Sequence, residues 1–168
     1  YASTFNGSVM VAAGDVTGDG VTDIVTGAGA GGGPHVRIFN REGHVLNQFF
    51  AYDQTKRFGV NVAVGNVDGS LPSEIITAPA AGGPPEVKVY SGSGETLGSW
   101  LAYDPNFSGG VHLAAGDIDG DGVDEIITGA GPGGNPQVRI FDAQGSLRSE
   151  FLAHDSAYRG GVRVNFFK

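Results

Sequence analysis

The sequence predicts an all-β chain built from blades of four antiparallel strands, on three observations. A strict 51-residue period runs through the chain, each period holds four short β-rich runs, and no segment carries helical periodicity long enough to compete. The period is clearest where Phe50-Ala51-Tyr52-Asp53 returns as Leu101-Ala102-Tyr103-Asp104 and again as Leu152-Ala153-His154-Asp155. Gly14 to Gly20 realigns with Gly116 to Gly122 two periods on, with the degenerate stretch Gly65 to Leu71 between them.

Within the first period the β-rich runs are Val9 to Ala13, Asp23 to Thr26, His35 to Phe39 and Val45 to Tyr52. An acidic loop joins the first two. A Gly-rich turn from Gly27 to Pro34 joins the next pair, and a tight turn closes on Gly43, which recurs as Gly94 and Gly145 and suits positive φ. A single four-stranded unit of about 50 residues cannot bury both faces of its sheet, so repeated units stack. That is the demand of a β-propeller. A β-sandwich has no reason for the period, and solenoid coils are shorter.

The expected organisation is one repeat domain over 1–168, with blades at 8–53, 59–104 and 110–155. Residues 156–168 then form an extra strand in the register of the N-terminal one, because Val162 to Phe166 repeats the role of Val9 to Ala13. Three blades do not make a ring, since closed propellers need about 4 to 8. Two arrangements answer this: further repeats of a longer chain, or a homo-oligomer whose copies complete the ring.

Composition narrows the partners. With 18 acidic against 10 basic residues the net charge is -8, which repels nucleic-acid phosphates and anionic lipid and favours a cation. No run approaches the roughly 18 apolar residues of a membrane helix, so membrane insertion is not expected. The absence of cysteine removes disulfides and thiolate metal sites. The 30 glycines lack a three-residue spacing, so they mark turns rather than a collagen repeat.

The acidic loops carry the chemistry. In the first, Asp15, Thr17, Asp19 and Asp23 stand at positions 1, 3, 5 and 9, Gly20 at the turn, and Val21 can offer its carbonyl. The third has Asp117, Asp119, Asp121, the carbonyl of Val123, and Glu125. Alternate placement on a curled backbone aims side-chain oxygens at one point, and several hard oxygen donors suit Ca²⁺. The middle loop, with Asn66, Asp68, Ser70 and Glu74, replaces the turn glycine by Leu71 and the carbonyl donor by Pro72, so binding there is expected to be weak or absent. Carboxylate count ranks the loops third, first, second. An EF-hand is excluded, because its twelfth position holds Thr26 or Thr128 instead of Glu, and strands flank the loops.

These residues resemble the FG-GAP repeats of integrin α-subunit propellers and their bacterial secreted relatives: strand, D-x-D-x-D-G-x-x-D, strand, Gly-rich turn. Thr17 and Glu125 depart from the pattern. The resemblance implies a propeller with calcium ligation by the first and third loops, placement outside the cell or on its surface, and a part in assembly, adhesion or recognition of a protein or glycan.

Other chemistry is less well supported. Gly27, Gly29 and Gly32 are followed by Pro34 and a strand rather than the helix a dinucleotide site requires. His35, His44, His112 and His154 occupy different repeat positions, and no G-x-S-x-G elbow is present, so the chain is not expected to be an enzyme; a propeller-fold hydrolase or lyase ranks last. Arg37, Lys88 and Arg139 recur and are expected to pair with acids such as Asp53 or Asp104. Phe50, Trp100, Tyr52, Tyr103 and Phe107 are expected to pack between blades; their alternative use, stacking on sugars, keeps a calcium-supported lectin as the rival reading.

Overall fold

The computed structural model describes residues 5–166, and among them it contains no helix. Twelve strands form three antiparallel four-stranded sheets, each meandering in chain order. The first sheet holds β1 (Val9–Gly14), β2 (Asp23–Ala28), β3 (His35–Phe39) and β4 (Val45–Phe50). The second holds β5 (Val60–Gly65), β6 (Glu74–Pro79), β7 (Glu86–Tyr90) and β8 (Thr96–Leu101). The third holds β9 (Val111–Gly116), β10 (Glu125–Ala130), β11 (Gln137–Phe141) and β12 (Leu147–Leu152). These are three blades of a propeller that does not close.

Local chemistry explains the strand ends. The β3–β4 hairpin turns at Gly43, whose φ of 82° strains any residue with a Cβ, and Gly94 and Gly145 repeat it at 87° and 82°. The hairpin is held by Gly43 N–H donating to Asn40 O at 3.0 Å and Asn40 N–H to His44 O at 3.0 Å. A bulge falls at the same repeat position in every blade, at Ile38/Phe39, Val89/Tyr90 and Ile140/Phe141. The extra residue increases the local twist of the outer hairpin.

The core lies between sheets. Val25, Val36 and Ile38 of the first blade and Val60 and Ile75 of the second are fully buried against one another, and Ile76, Val87, Val111 and Ile126 repeat the arrangement one interface later. The fourth strand ends at Phe50, earlier than the apolar run suggests, because Ala51 and Tyr52 leave the ladder to cross into the next blade. There the Tyr52 hydroxyl donates to Glu86 O at 2.7 Å, and Tyr103 likewise reaches Gln137 O at 3.1 Å in the third blade. Burial pushes the Tyr103 phenol up to about 12 and raises Tyr52 well above the usual phenol range, so both hydroxyls keep their protons. Edge-on contacts from Phe58 and Phe107 hold the two rings.

The recurring basic residues differ from expectation. Lys88 Nζ lies 3.7 Å from Glu86 and 4.8 Å from the centre of the Tyr52 ring. Arg139 pairs with Glu150 at 2.9 Å and lies 5.4 Å from the Tyr103 ring centre. Asp53 and Asp104 instead accept the N–H groups of Thr55 and Asn106 inside their own turns. Glu86 stands two residues from Lys88 on β7, and Glu150 of β12 lies directly across from Arg139 of β11, so the blade itself supplies both acids. Phe50 also departs from expectation: it stacks on His35 of its own blade, 4.7 Å away, and is half exposed.

Past β12 the chain follows the register of the next blade. Gly133 N–H donates to Arg159 O at 2.9 Å, as Gly31 does to Arg57 O and Gly82 to Ser108 O at the two interblade seams. Val162 N–H donates to Ala130 O at 2.8 Å, and Val162, Val164 and Phe166 cover Ala114, Ile127 and Val138. This is the place of an extra innermost strand, although residues 162–166 join no ladder.

Candidate metal centre

The β1–β2, β5–β6 and β9–β10 connections lie at one end of the three blades, opposite the Gly-rich turns. Each loop begins where a strand has ended on a glycine and must reverse direction within nine residues. Gly18 and Gly20 (φ 80° each) and Gly120 and Gly122 (83° and 91°) make that reversal. A Cβ added at Gly20, Gly120 or Gly122 would meet nothing within 4 Å, so backbone conformation and not crowding requires glycine there.

The third loop gathers its acids. Ligand oxygens of Asp117, Asp119 and Glu125 all lie within 4.8 Å of one another, the only such group of three His, Cys, Asp or Glu side chains among the described residues. Backbone donors orient the carboxylates: Asp117 accepts from Gly120 N–H at 2.7 Å and Gly122 N–H at 3.1 Å, and Glu125 accepts from Ile118 N–H at 2.9 Å. Asp119 accepts from Asp121 N–H at 3.2 Å. Asp121 lies outside the trio and accepts from Val123 N–H at 2.8 Å. Val123 sits half-buried between Gly122 and the strand.

The first loop repeats much of this hydrogen bonding, with Thr17 at the place of Asp119. Asp23 is buried, and its Oδ2 accepts from Val16 N–H, Thr17 N–H and the Thr17 hydroxyl, at 3.2, 3.2 and 3.0 Å. Asp15 accepts from Gly18 and Gly20 N–H at 2.7 and 2.9 Å, and Asp19 from Val21 N–H at 2.8 Å, while the Val21 side chain is exposed. Asp15, Asp19 and Asp23 do not meet as a trio.

In the middle loop Asp68 accepts both the N–H and the hydroxyl of Ser70 at 2.7 Å. Glu74 is buried and accepts Val67 N–H at 2.9 Å. Burial, reinforced by the charge of Asp68, raises its carboxyl above the usual range despite that bond. Asn66 Oδ1 is buried and has no hydrogen-bond partner among the described residues.

One acid in these loops escaped the sequence reading. Asp124 Oδ2 accepts Asn66 N–H at 2.9 Å, while Asp124 N–H donates to Asn66 O at 2.8 Å, which clasps the third loop to the second. The backbone half of the clasp recurs one blade earlier, where Ser73 N–H donates to Asp15 O at 2.9 Å. An acid at position 8 where the earlier loops carry Thr22 and Ser73 is the one signal that could have flagged it.

The donor set fits a calcium ion. Two oxygens bound to one Ca²⁺ at about 2.3 to 2.6 Å are at most about 5.2 Å apart, and the 4.8 Å bound on the Asp117, Asp119 and Glu125 oxygens lies inside that limit. Three carboxylates held this close repel one another unless a cation or protons intervene.

The family model for the FG-GAP repeat matches residues 11–41 and 109–145, the first and third blades with their acidic loops. Among solved structures, the chain is similar to exotype rhamnogalacturonan lyase YesX, at 17% identity and a TM-score of 0.60, over 84% of this chain and 32% of that one. The biofilm matrix protein Bap1 of V. cholerae also matches, at 19% identity and a TM-score of 0.42, over 90% of this chain and 29% of that one. The chain thus spans about a third of the length of these structures. No curated protein matches it. Two segments of the chain, in its first and third blades, thus match the FG-GAP repeat, and the fold around them is that of propeller blades.

Proposed function

We propose that the chain is a non-enzymatic calcium-binding module of an extracellular protein, serving in structural assembly, adhesion or ligand recognition. The single observation that carries this reading is the convergence of Asp117, Asp119 and Glu125 within 4.8 Å in a loop that the FG-GAP model matches. Calcium there neutralises the three carboxylates and ties the start of β10 to the end of β9. The first loop is the weaker site, because Thr17 stands where the third loop has Asp119 and leaves it one carboxylate fewer. A site with so few carboxylates suits the high calcium levels outside cells, where modules bind at about 10⁻⁴ to 10⁻³ M. No helix among the described residues is long and apolar enough to cross a membrane.

Calorimetric titration and thermal melts test this together. Calcium at about 100 times its Kd adds about 2.7 kcal/mol for a site that only the folded chain offers. Chelation therefore lowers the melting temperature and Ca²⁺ restores it better than Mg²⁺. Asp117→Asn is expected to weaken binding more than Asp121→Ala, and a melt indifferent to chelator and calcium overturns the reading.

A further inference from the structure

The seam between the second and third blades holds a cleft of about 260 Å³ beside the Gly-rich turn from β10 to β11, at the end opposite the acidic loops. Both walls belong to complete blades. Tyr103 and Phe107, edge to face with ring centres 5.7 Å apart, come from the crossing between the blades, and Asn135, Gln137 and Arg139 come from the third. Phe107 lies directly on Gly134, where a Cβ would come within 2.7 Å of the ring.

The polar groups around this cleft are only half used. Asp104 Oδ1 accepts both the N–H and the side-chain amide of Asn106, at 2.8 and 3.0 Å, which leaves Oδ2. Gln137 Nε2 donates to Glu150 at 3.0 Å, which leaves Oε1. Arg139 donates from Nε to Glu150 at 2.9 Å and from Nη1 to Ala102 O at 2.8 Å, which leaves Nη2. The Asn135 side chain makes no hydrogen bond among the described residues. Spare donors and acceptors thus stand together beside two aromatic rings.

The first seam differs at the same repeat positions. There Pro79 stands for Ala130, Pro84 for Asn135, Glu86 for Gln137 and Lys88 for Arg139. Pro79 and Phe58 close on Gly83, where a Cβ would meet them at 2.8 and 3.0 Å, and Lys88 lies 4.8 Å from the centre of the Tyr52 ring. The second seam exchanges two proline rings for a methyl group and an amide, and a carboxylate for an amide. Packing between blades requires none of these changes, since the first seam is built without them.

We propose that the cleft binds one ring of a neutral saccharide. Vicinal hydroxyls donate and accept at adjacent atoms, which suits Asp104 Oδ2 and Gln137 Oε1 as acceptors, Arg139 Nη2 as donor and the Asn135 amide as both. The apolar C–H face of the sugar packs on half-buried Phe107. Glu150 neutralises Arg139, so no net cation is left to select an acidic sugar. The volume falls below the roughly 300 to 1,000 Å³ of drug-sized sites, which admits one ring and not a chain. This rests on the ligand-recognition part of the proposed function and on none of its metal chemistry.

Saturation-transfer NMR of the whole chain in calcium tests the proposal, with methyl glycosides of the common hexoses, deoxyhexoses and N-acetylhexosamines as probes. One or more is expected to bind with a Kd of about 1 mM. Asn135→Pro, which installs the first-seam residue, is expected to weaken that binding about tenfold with unchanged far-UV circular dichroism, and Pro84→Ala to leave it unchanged. Should the proline variant lose its β-sheet signal, Asn135→Ala replaces it. Silence toward every probe well above that Kd overturns the proposal. So does binding that the Asn135 variants leave intact, or a response confined to glucuronic acid or free amino acids added to the panel. A melt indifferent to calcium overturns the metal site and leaves this test standing, whereas silence toward sugars leaves the metal site standing.

Discussion

The Tyr103 hydroxyl lies 3.0 Å from Thr128 Oγ1, although one residue ends the second blade and the other lies in the middle of the third. Thr128 is fully buried and already donates to Arg139 O at 3.1 Å, so the phenol joins a side-chain and backbone network that ties neighbouring sheets. Tyr52 does the same one blade earlier with Thr77.

Tyr103→Phe keeps the ring in place but leaves Gln137 O without this donor. A buried acceptor left unmet costs about 1 to 3 kcal/mol, which for a chain of this size lowers the melting temperature by about 2 to 4 °C per kcal/mol. Differential scanning calorimetry of the two proteins measures it. An unchanged transition would show that the hydroxyl contributes nothing between blades.

Asp124→Ala removes the side-chain half of the clasp on Asn66 while leaving the oxygens of Asp117, Asp119 and Glu125 in place. The expected cost is about 1.5 to 3 kcal/mol, the range for a hydrogen bond to a charged group, with calcium stoichiometry unchanged in calorimetric titration. Loss of the metal instead would make Asp124 a ligand.

Glu74 gives a prediction with a definite sign. Its carboxyl is raised in the folded chain by burial, so folding favours the protonated form. The stability it contributes is complete below the ordinary glutamate value and is lost as pH rises through the folded one. Glu74→Gln, which can still accept Val67 N–H, is therefore expected to raise the melting temperature at pH 7 in chelator. That advantage shrinks as pH falls toward the ordinary carboxyl range. An advantage that grows in acid would contradict the assignment.

The sequence by itself determined the blades. A 51-residue period and alternating apolar residues are local properties, and the hairpin glycines 43, 94 and 145 are required by their own φ, whatever surrounds them. The positions of the acidic loops were equally legible, because their spacing follows from how a chain reverses between two strands. Tertiary structure decided which oxygens meet. Asp117, Asp119 and Glu125 converge in the third loop, while Asp121 stays outside the group and accepts Val123 N–H instead. Asp124 is drawn to Asn66 on the neighbouring blade, and Lys88 and Arg139 find acids on their own and the adjoining strand instead of in the interblade loops. Carboxylates and cations bind whichever partner the packed backbone brings within about 3 Å, and that distance is set by the stacking of sheets, which spacing along the chain does not encode.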